Sequence, residues 1–279
     1  MRTSFVSDPG PVNNGAVWAS GYPGTLHGFE ILRVENLCVA QSGKITPEQV
    51  TKRQADYFHE HILPMCKDVN HVAIENQPKS KLAEPMSHGQ LTIFHMEAKR
   101  REMDPTDAAV PLKTVRLVHA GLKLRLAYEL IKQVELAAPE HTYPPRPHIE
   151  EFIDVENGQY KFNKAVSVWA VKVYAQDWPH IAAEIKAGKA RRKEIKAAKA
   201  GKADDYSDCV LMFLALLVEN WLKKRTPKGD VSYSTIMRLP KKATKPRAKA
   251  TTKGTKRKAP GSSSLKAYYG KLKRRRVSS

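Results

Sequence analysis

The stretch "KADDYSDC" at residues 202–209 places Asp204, Asp205 and Asp208 within five positions of a chain whose formal charge is +20. Crowded like charges are unfavourable unless something compensates them. Residues three and four apart share a helix face, so Asp208 points the same way as Asp205 or Asp204. They stand at the start of an apolar run, "CVLMFLALLV", which predicts a fully buried helix over 203–224. Acids in a first turn also interact well with the helix dipole, which alone would account for them. Two further acids change the weighing. Asp8 ends a short strand in "FVSDPGPVNNG", where Gly10 permits close backbone approach, and Glu75 ends the strand "HVAIE" ahead of "NQPKSK". Taken singly, these are an ordinary turn aspartate and an ordinary strand-end charge. Taken together, acids at two strand ends and one helix start can converge at the carboxyl edge of a single sheet. Clustered carboxylates bind hard divalent cations, Mg²⁺ among them. Two such ions stabilise both the attacking and the leaving oxygen when a phosphodiester is cut.

The elements that must position these acids follow from pattern. "TSFVS", "AVWAS" and "FEILRVENLCVA", joined by the turn signals "DPGPVNNG" and "GYPG", predict antiparallel strands within the first forty residues. A helix is expected over 47–66, with Thr46 as N-cap and Pro47 in its first position. Strands are expected at 71–75 and 113–120, and helices over 85–101, 122–138, 161–176 and 179–200. The segment "PEHTYPPRPH" at 139–148 is Pro-rich and must be irregular. The expected fold class is α/β, a mixed five-stranded sheet whose first three strands are antiparallel, with helices on both faces. The folded unit is placed at residues 1–239, with the Pro-rich segment as an insertion.

Residues 240–279 carry fifteen Lys or Arg and no acid, so the rest of the chain holds only about +5. This stretch is too polar to offset its ordering entropy, which predicts a disordered basic tail. It suits phosphate backbones, or an import receptor reading "KRK" and "KLKRRR"; it would also serve simply as a solubilising tail. No apolar run is long enough to cross a bilayer. A strand directly after Met1 leaves no room for a signal peptide and argues against a transit peptide. Cys38, Cys66 and Cys209 are widely spaced and odd in number, as expected of reduced, buried thiols in an intracellular protein. His59 and His61 cannot share a helix face, and His88 and His95 read as structural or surface residues. Trp169, Tyr174 and Trp178 read as core rather than as a base-stacking platform.

Four segments in order resemble the Holliday junction resolvases of the RNase H-like superfamily, the RuvC-like branch, with its poxviral and fungal mitochondrial members the most similar. "FVSDPGPVNNGAVW" resembles the first-strand motif, "VAIENQP" the Ile–Glu–Gln motif of the fourth strand, and "TVRLVHAGLKL" the fifth strand with its following Lys. "KADDYSDCVLMFLALL" resembles the closing Lys–Lys–Asp–Asp–x–x–Asp helix, with Ala203 in place of the second Lys. The likeness spans roughly residues 3–222. It implies an RNase H-like fold and a structure-specific endodeoxyribonuclease that resolves four-way DNA junctions by paired symmetric nicks as a homodimer. It implies Asp8, Glu75, Asp205 and Asp208 as catalytic metal ligands, with Asp204 competing with Asp205. The implied cofactor is Mg²⁺, two ions per site, with Mn²⁺ as a substitute. Lys79, Lys81, Lys123 and Lys202 are candidate contacts to DNA phosphates or the transition state, against the plainer reading of solvated surface lysines. The alternatives are another RNase H-like nuclease, acting on RNA–DNA hybrids or transposon ends, and a non-catalytic protein that binds branched DNA. The basic tail and the absent presequence point to a nucleus or a viral replication site rather than a mitochondrion.

Overall fold

Alternation of apolar residues on both faces of β1 (Arg2–Asp8) makes it the middle strand of a sheet covered on both sides. Val6 packs into one core, with Val17, Ala19, Ala73 and Val118. Phe5 packs into the other, with Trp18, Val72, Ile74, Phe58 and Phe94. The computed structural model describes residues 1–10, 13–37, 46–77, 82–104, 106–137, 142–194, 203–225 and 231–239, all within the compact unit Met1–Pro240.

The sheet has the order β3-β2-β1-β4-β5. β2 (Asn14–Gly21) and β3 (Glu30–Leu37) extend β1 as antiparallel neighbours. β4 (His71–Asn76) and β5 (Thr114–His119) run parallel to β1 on its other side. This is the mixed five-stranded sheet expected, with the first three strands antiparallel. β1, β4 and β5 therefore end at one edge, and Asp8 and Glu75 end with them.

One face is covered by α1 (Pro47–Tyr57) and α2 (Ala83–Met103). Thr46 caps α1 in a reciprocal capping box with Gln49, as the sequence predicts. The helix expected over 47–66 does not run through. It loosens into a π turn at Phe58–Ile62 and tightens into a 3₁₀ turn at Leu63–Cys66. Pro64 explains the change, because it has no N–H to donate to the carbonyl of Glu60 and its ring crowds that carbonyl.

The other face carries α3 (Gly121–Leu136), α4 (Gly158–Asp177), α5 (Pro179–Glu194) and α6 (Ala203–Leu217). α6 lies on β1 and β2 beneath α3 and α4, and every residue from Tyr206 to Leu217 is buried. Each large apolar side chain hidden this way contributes about 1.5–3 kcal/mol. The expected helix over 203–224 divides at Val218 into α6 and α7 (Glu219–Arg225). The Leu217 carbonyl turns away to accept the Gly24 N–H at 2.6 Å, which interrupts the helical ladder. A further short helix, α8 (Val231–Met237), was not expected from the pattern.

Residues 142–148 of the Pro-rich segment are irregular, and the Pro144 carbonyl accepts the Trp169 indole N–H at 2.8 Å. Trp169 and Tyr174 are buried, with Trp178 packed against the same core. Cys66 and Cys209 are buried free thiols. His59, His61, His88 and His95 are exposed. Among the described residues no helix is long and apolar enough to cross a membrane. Residues 139–141, Cys38 and the tail from 240 lie outside the described residues.

Candidate active site

Asp8 is the last residue of β1, fixed by its pairing with Gly15 across the hairpin. The Ser7 hydroxyl and Asn14 close that hairpin at 2.9 Å. Gly10 is needed there because a Cβ would meet the Asn13 carbonyl oxygen at 2.2 Å. The close approach expected at Gly10 is therefore made by its own hairpin. Glu75 lies on the adjacent parallel strand, and Asp205 and Asp208 sit in the opening turns of α6. Gly15 lets α6 come that near, since a Cβ at this position would meet the Asp205 carbonyl oxygen at 2.5 Å and the Cys209 Sγ at 2.7 Å. Asp8, Glu75, Asp205 and Asp208 all line one cleft of about 360 Å³ at the carboxyl edge of the sheet.

Two lysines stand among the acids. Lys123, in the first turn of α3, is buried; its Nζ lies 2.6 Å from Glu75 Oε2 and 3.2 Å from Asp208 Oδ2. Lys164 of α4 donates to Asp208 Oδ2 and lies 3.8 Å from Asp8 Oδ2. Gln77 donates to Asp8 Oδ1 at 2.5 Å. The Asn36 side-chain amide of β3 donates to Asp205 Oδ2 at 3.0 Å.

The electrostatics follow from this packing. Burial pushes the Glu75 carboxyl up to about 7, and the neighbouring Asp8 charge adds to the rise. Burial likewise raises Asp8, against the pull of Lys123. Asp208 is held below the usual carboxylate range; burial opposes its charge, but Lys123 and Lys164 outweigh burial. Burial acts against the Lys123 ammonium too, yet Glu75, Asp208 and Asp8 hold its pKa well above the ordinary value.

The donor set is oxygen only, which suits a hard divalent cation. Asp208 Oδ1 is buried in the middle of the cluster, with the Ser167 hydroxyl beside the carboxylate and no hydrogen bond closed to this oxygen among the described residues. As the side chains stand, no three His, Cys, Asp or Glu among the described residues close tightly enough to hold an ion. Lys123 and Lys164 between them take one oxygen each of Glu75, Asp208 and Asp8. The acids fit a cation chemically, therefore, on condition that Lys123 or Lys164 yields oxygen atoms to it.

Of the residues expected from sequence, Asp8, Glu75, Asp205, Asp208 and Lys123 meet in this cleft. Lys123 is turned inward onto the carboxylates rather than out toward solvent. Lys79, Lys81, Lys202 and the side chain of Asp204 lie outside the described residues. Sequence reasoning missed Lys164, Asn36 and Gln77. Gln77 had a signal, standing two residues after Glu75 in "VAIENQP". Lys164 and Asn36 had none, because only the packing of α4 and α5 around α6 and β3 brings them in.

No family model matches the chain, and no curated protein is similar to it in sequence. Among solved structures, it is similar to the yeast mitochondrial Holliday junction resolvase Ydc2, at 11% identity and a TM-score of 0.40, covering 81% of this chain and 86% of that one. It is also similar to Thermus thermophilus RuvC in complex with Holliday junction substrate, at 12% identity and a TM-score of 0.38, covering 81% of this chain and 96% of that one. A second Thermus thermophilus RuvC structure gives 12% identity and a TM-score of 0.35, covering 80% and 95%.

Proposed function

We propose that this chain is a divalent-cation-dependent endonuclease acting on branched DNA, with the four-way junction as its substrate. The observation that carries the reading is the convergence of Asp8, Glu75, Asp205 and Asp208 in one cleft at the carboxyl ends of parallel strands. The order of motifs in the sequence supports it independently.

Asp8, Glu75 and Asp208, with Asp205 or Asp204, would hold Mg²⁺ or Mn²⁺, two ions per site. When bound, such ions supply an activated water and neutralise the charge that develops on the scissile phosphate. Gln77 orients Asp8, and Asn36 orients Asp205. Lys123 and Lys164 keep the acids together, and either would be placed to meet a phosphate oxygen at the edge of the cleft. A homodimer presenting two such sites would cut a four-way junction in symmetric pairs. The fifteen cations of residues 240–279 would add salt-sensitive affinity for DNA or a handle for an import receptor, consistent with action in a nucleus or a viral replication site.

One observation favours a second reading. The two lysines already compensate the acids, so a non-catalytic protein that binds branched DNA needs no ion in the cleft.

The deciding experiment is incubation of a labelled synthetic four-way junction with Mg²⁺ or with EDTA, beside a linear duplex and an RNA–DNA hybrid, using wild type and Asp8→Asn. Paired nicks that need metal and vanish in the variant are the expected result. Cleavage of the hybrid alone moves the assignment to another RNase H-like nuclease. Tight junction binding without cleavage in Mg²⁺ or Mn²⁺ sinks the nuclease reading.

A further inference from the structure

The face of the sheet that ends in carboxylates begins in cations. Along β1, the residues facing α6 run Arg2, Ser4, Val6, Asp8; along β4 they run His71, Ala73, Glu75; along β5 they run Thr114, Arg116, Val118. Because the three strands are parallel, Arg2, His71 and Arg116 line one stretch of this face on the amino side of the acids: Arg2 is six residues, roughly 20 Å at about 3.3 Å per residue, before Asp8, His71 is four residues before Glu75, and Arg116 is level with Ala73. There they line a second cavity of about 330 Å³, closed by Glu219, Asn220 and Lys223.

Charge in this cavity is not balanced. Among the described residues lining it, Glu219 is the single acid, shared by Arg116 and by Lys223, the latter at 2.8 Å. Among the described residues Arg2 closes no ion pair, and its buried Nε makes no hydrogen bond. Burial and then the neighbouring Arg116 lower the Arg2 pKa, against the pull of the Glu219 carboxylate. Burial, then Arg2, Lys113 and Arg116, push His71 down to about 4, so it stays neutral at ordinary pH. Ser4, Thr114 and Asn220 add neutral donors.

We propose that this amino-edge cavity is a binding site for a phosphate group, held by Arg2 and Arg116 with Lys223 at its rim. Guanidinium forks match phosphate oxygens two at a time, and a phosphate between the two arginines would relieve their mutual repulsion. Two sources share this chemistry: a small phosphate compound, and a backbone phosphate of a nucleic acid passing the edge remote from the acidic cleft. The site stands whether or not the cleft cuts DNA.

The test is thermal unfolding of the full chain at neutral pH and constant ionic strength, with inorganic phosphate replacing chloride. Wild type should be stabilised in a saturable way. Arg2→Gln should bind phosphate about tenfold more weakly, the loss of one charge-assisted contact. Glu219→Gln removes the competing acid and should bind more tightly. Lys223→Gln, on an exposed side chain, should weaken binding without disturbing the fold, so the test survives if the Arg2 variant fails to fold. Equal responses in all variants would place the phosphate elsewhere, on the basic tail for instance, and overturn the proposal. With the cavity confirmed, competition identifies the source: junction DNA displaces phosphate if a backbone phosphate is the occupant, and does not if a small compound is.

Discussion

Lys164 joins Asp8 and Asp208, two carboxylates that β1 and α6 bring from opposite ends of the folded chain. On the proposed function, Asp8 and Asp208 would hold a divalent cation, and the Lys164 ammonium now compensates their charge. Lys164→Met should therefore destabilise the metal-free protein by about 3 kcal/mol, because it uncovers buried negative charge. Mg²⁺ should restore more of that loss in the variant than it adds to wild type. Melting curves with and without Mg²⁺ measure both effects; an Mg²⁺ shift no larger in the variant would show that the lysine does not stand in for an ion.

Among the described residues, the Asn36 side chain reaches the site through Asp205. Removing a residue that orients a ligand typically costs 10–100-fold in activity or metal affinity. Asn36→Ala should lower the rate of junction cleavage by about that factor while junction affinity stays within about twofold. Parallel measurements of cleavage rate and binding separate the two; an equal fall in both would point to a general loss of structure.

Gly15 marks the closest approach of α6 to the sheet. Gly15→Ala must push the Asp205 backbone and Cys209 away by several tenths of an ångström. The expected cost is about 2 kcal/mol, as for overpacking elsewhere. Cleavage should fall further than stability explains, because Asp205 and Asp208 move relative to Asp8 and Glu75. Urea unfolding and cleavage assayed on the same preparation check this.

His71 sets a pH dependence away from the cleft. Its folded pKa, about 4, is below the ordinary 6.5 because burial, Arg2, Lys113 and Arg116 disfavour its charge. A depressed folded value means that the unfolded chain binds the proton more readily. Stability is therefore full above pH 6.5 and falls as pH drops toward 4. Allowing for partial exposure to solvent, the loss is about 1 kcal/mol. His71→Gln should flatten this part of the profile, measured by urea midpoints across that window.

The fold was legible wherever one local rule decided the outcome. Turn signals separated β1, β2 and β3, and Thr46 and Pro47 marked the start of α1. The run from Cys209 to Val218 could only be a buried element. Departures came from single backbone groups: the missing N–H of Pro64, and the Leu217 carbonyl claimed by Gly24. At the site, carboxylates at strand ends and in a helix's first turn were readable because their positions in the pattern are unusual. Lys164 and Asn36 were not. One lysine on α4 differs from its neighbours only through its distance to Asp208, and distance between remote segments is not written in local spacing.

The unbroken burial of α6 from Tyr206 to Leu217 has a kinetic meaning. Asp208 rides on the same helical ladder as the largest core of the protein, so its surroundings cannot fray independently of that core. Backbone amides from Asp208 to Leu214 should exchange with deuterium only through global unfolding, at the slowest rates in the chain. Strain applied anywhere along α6 would be felt at its acidic end, and the cleft would disappear in one step with the fold.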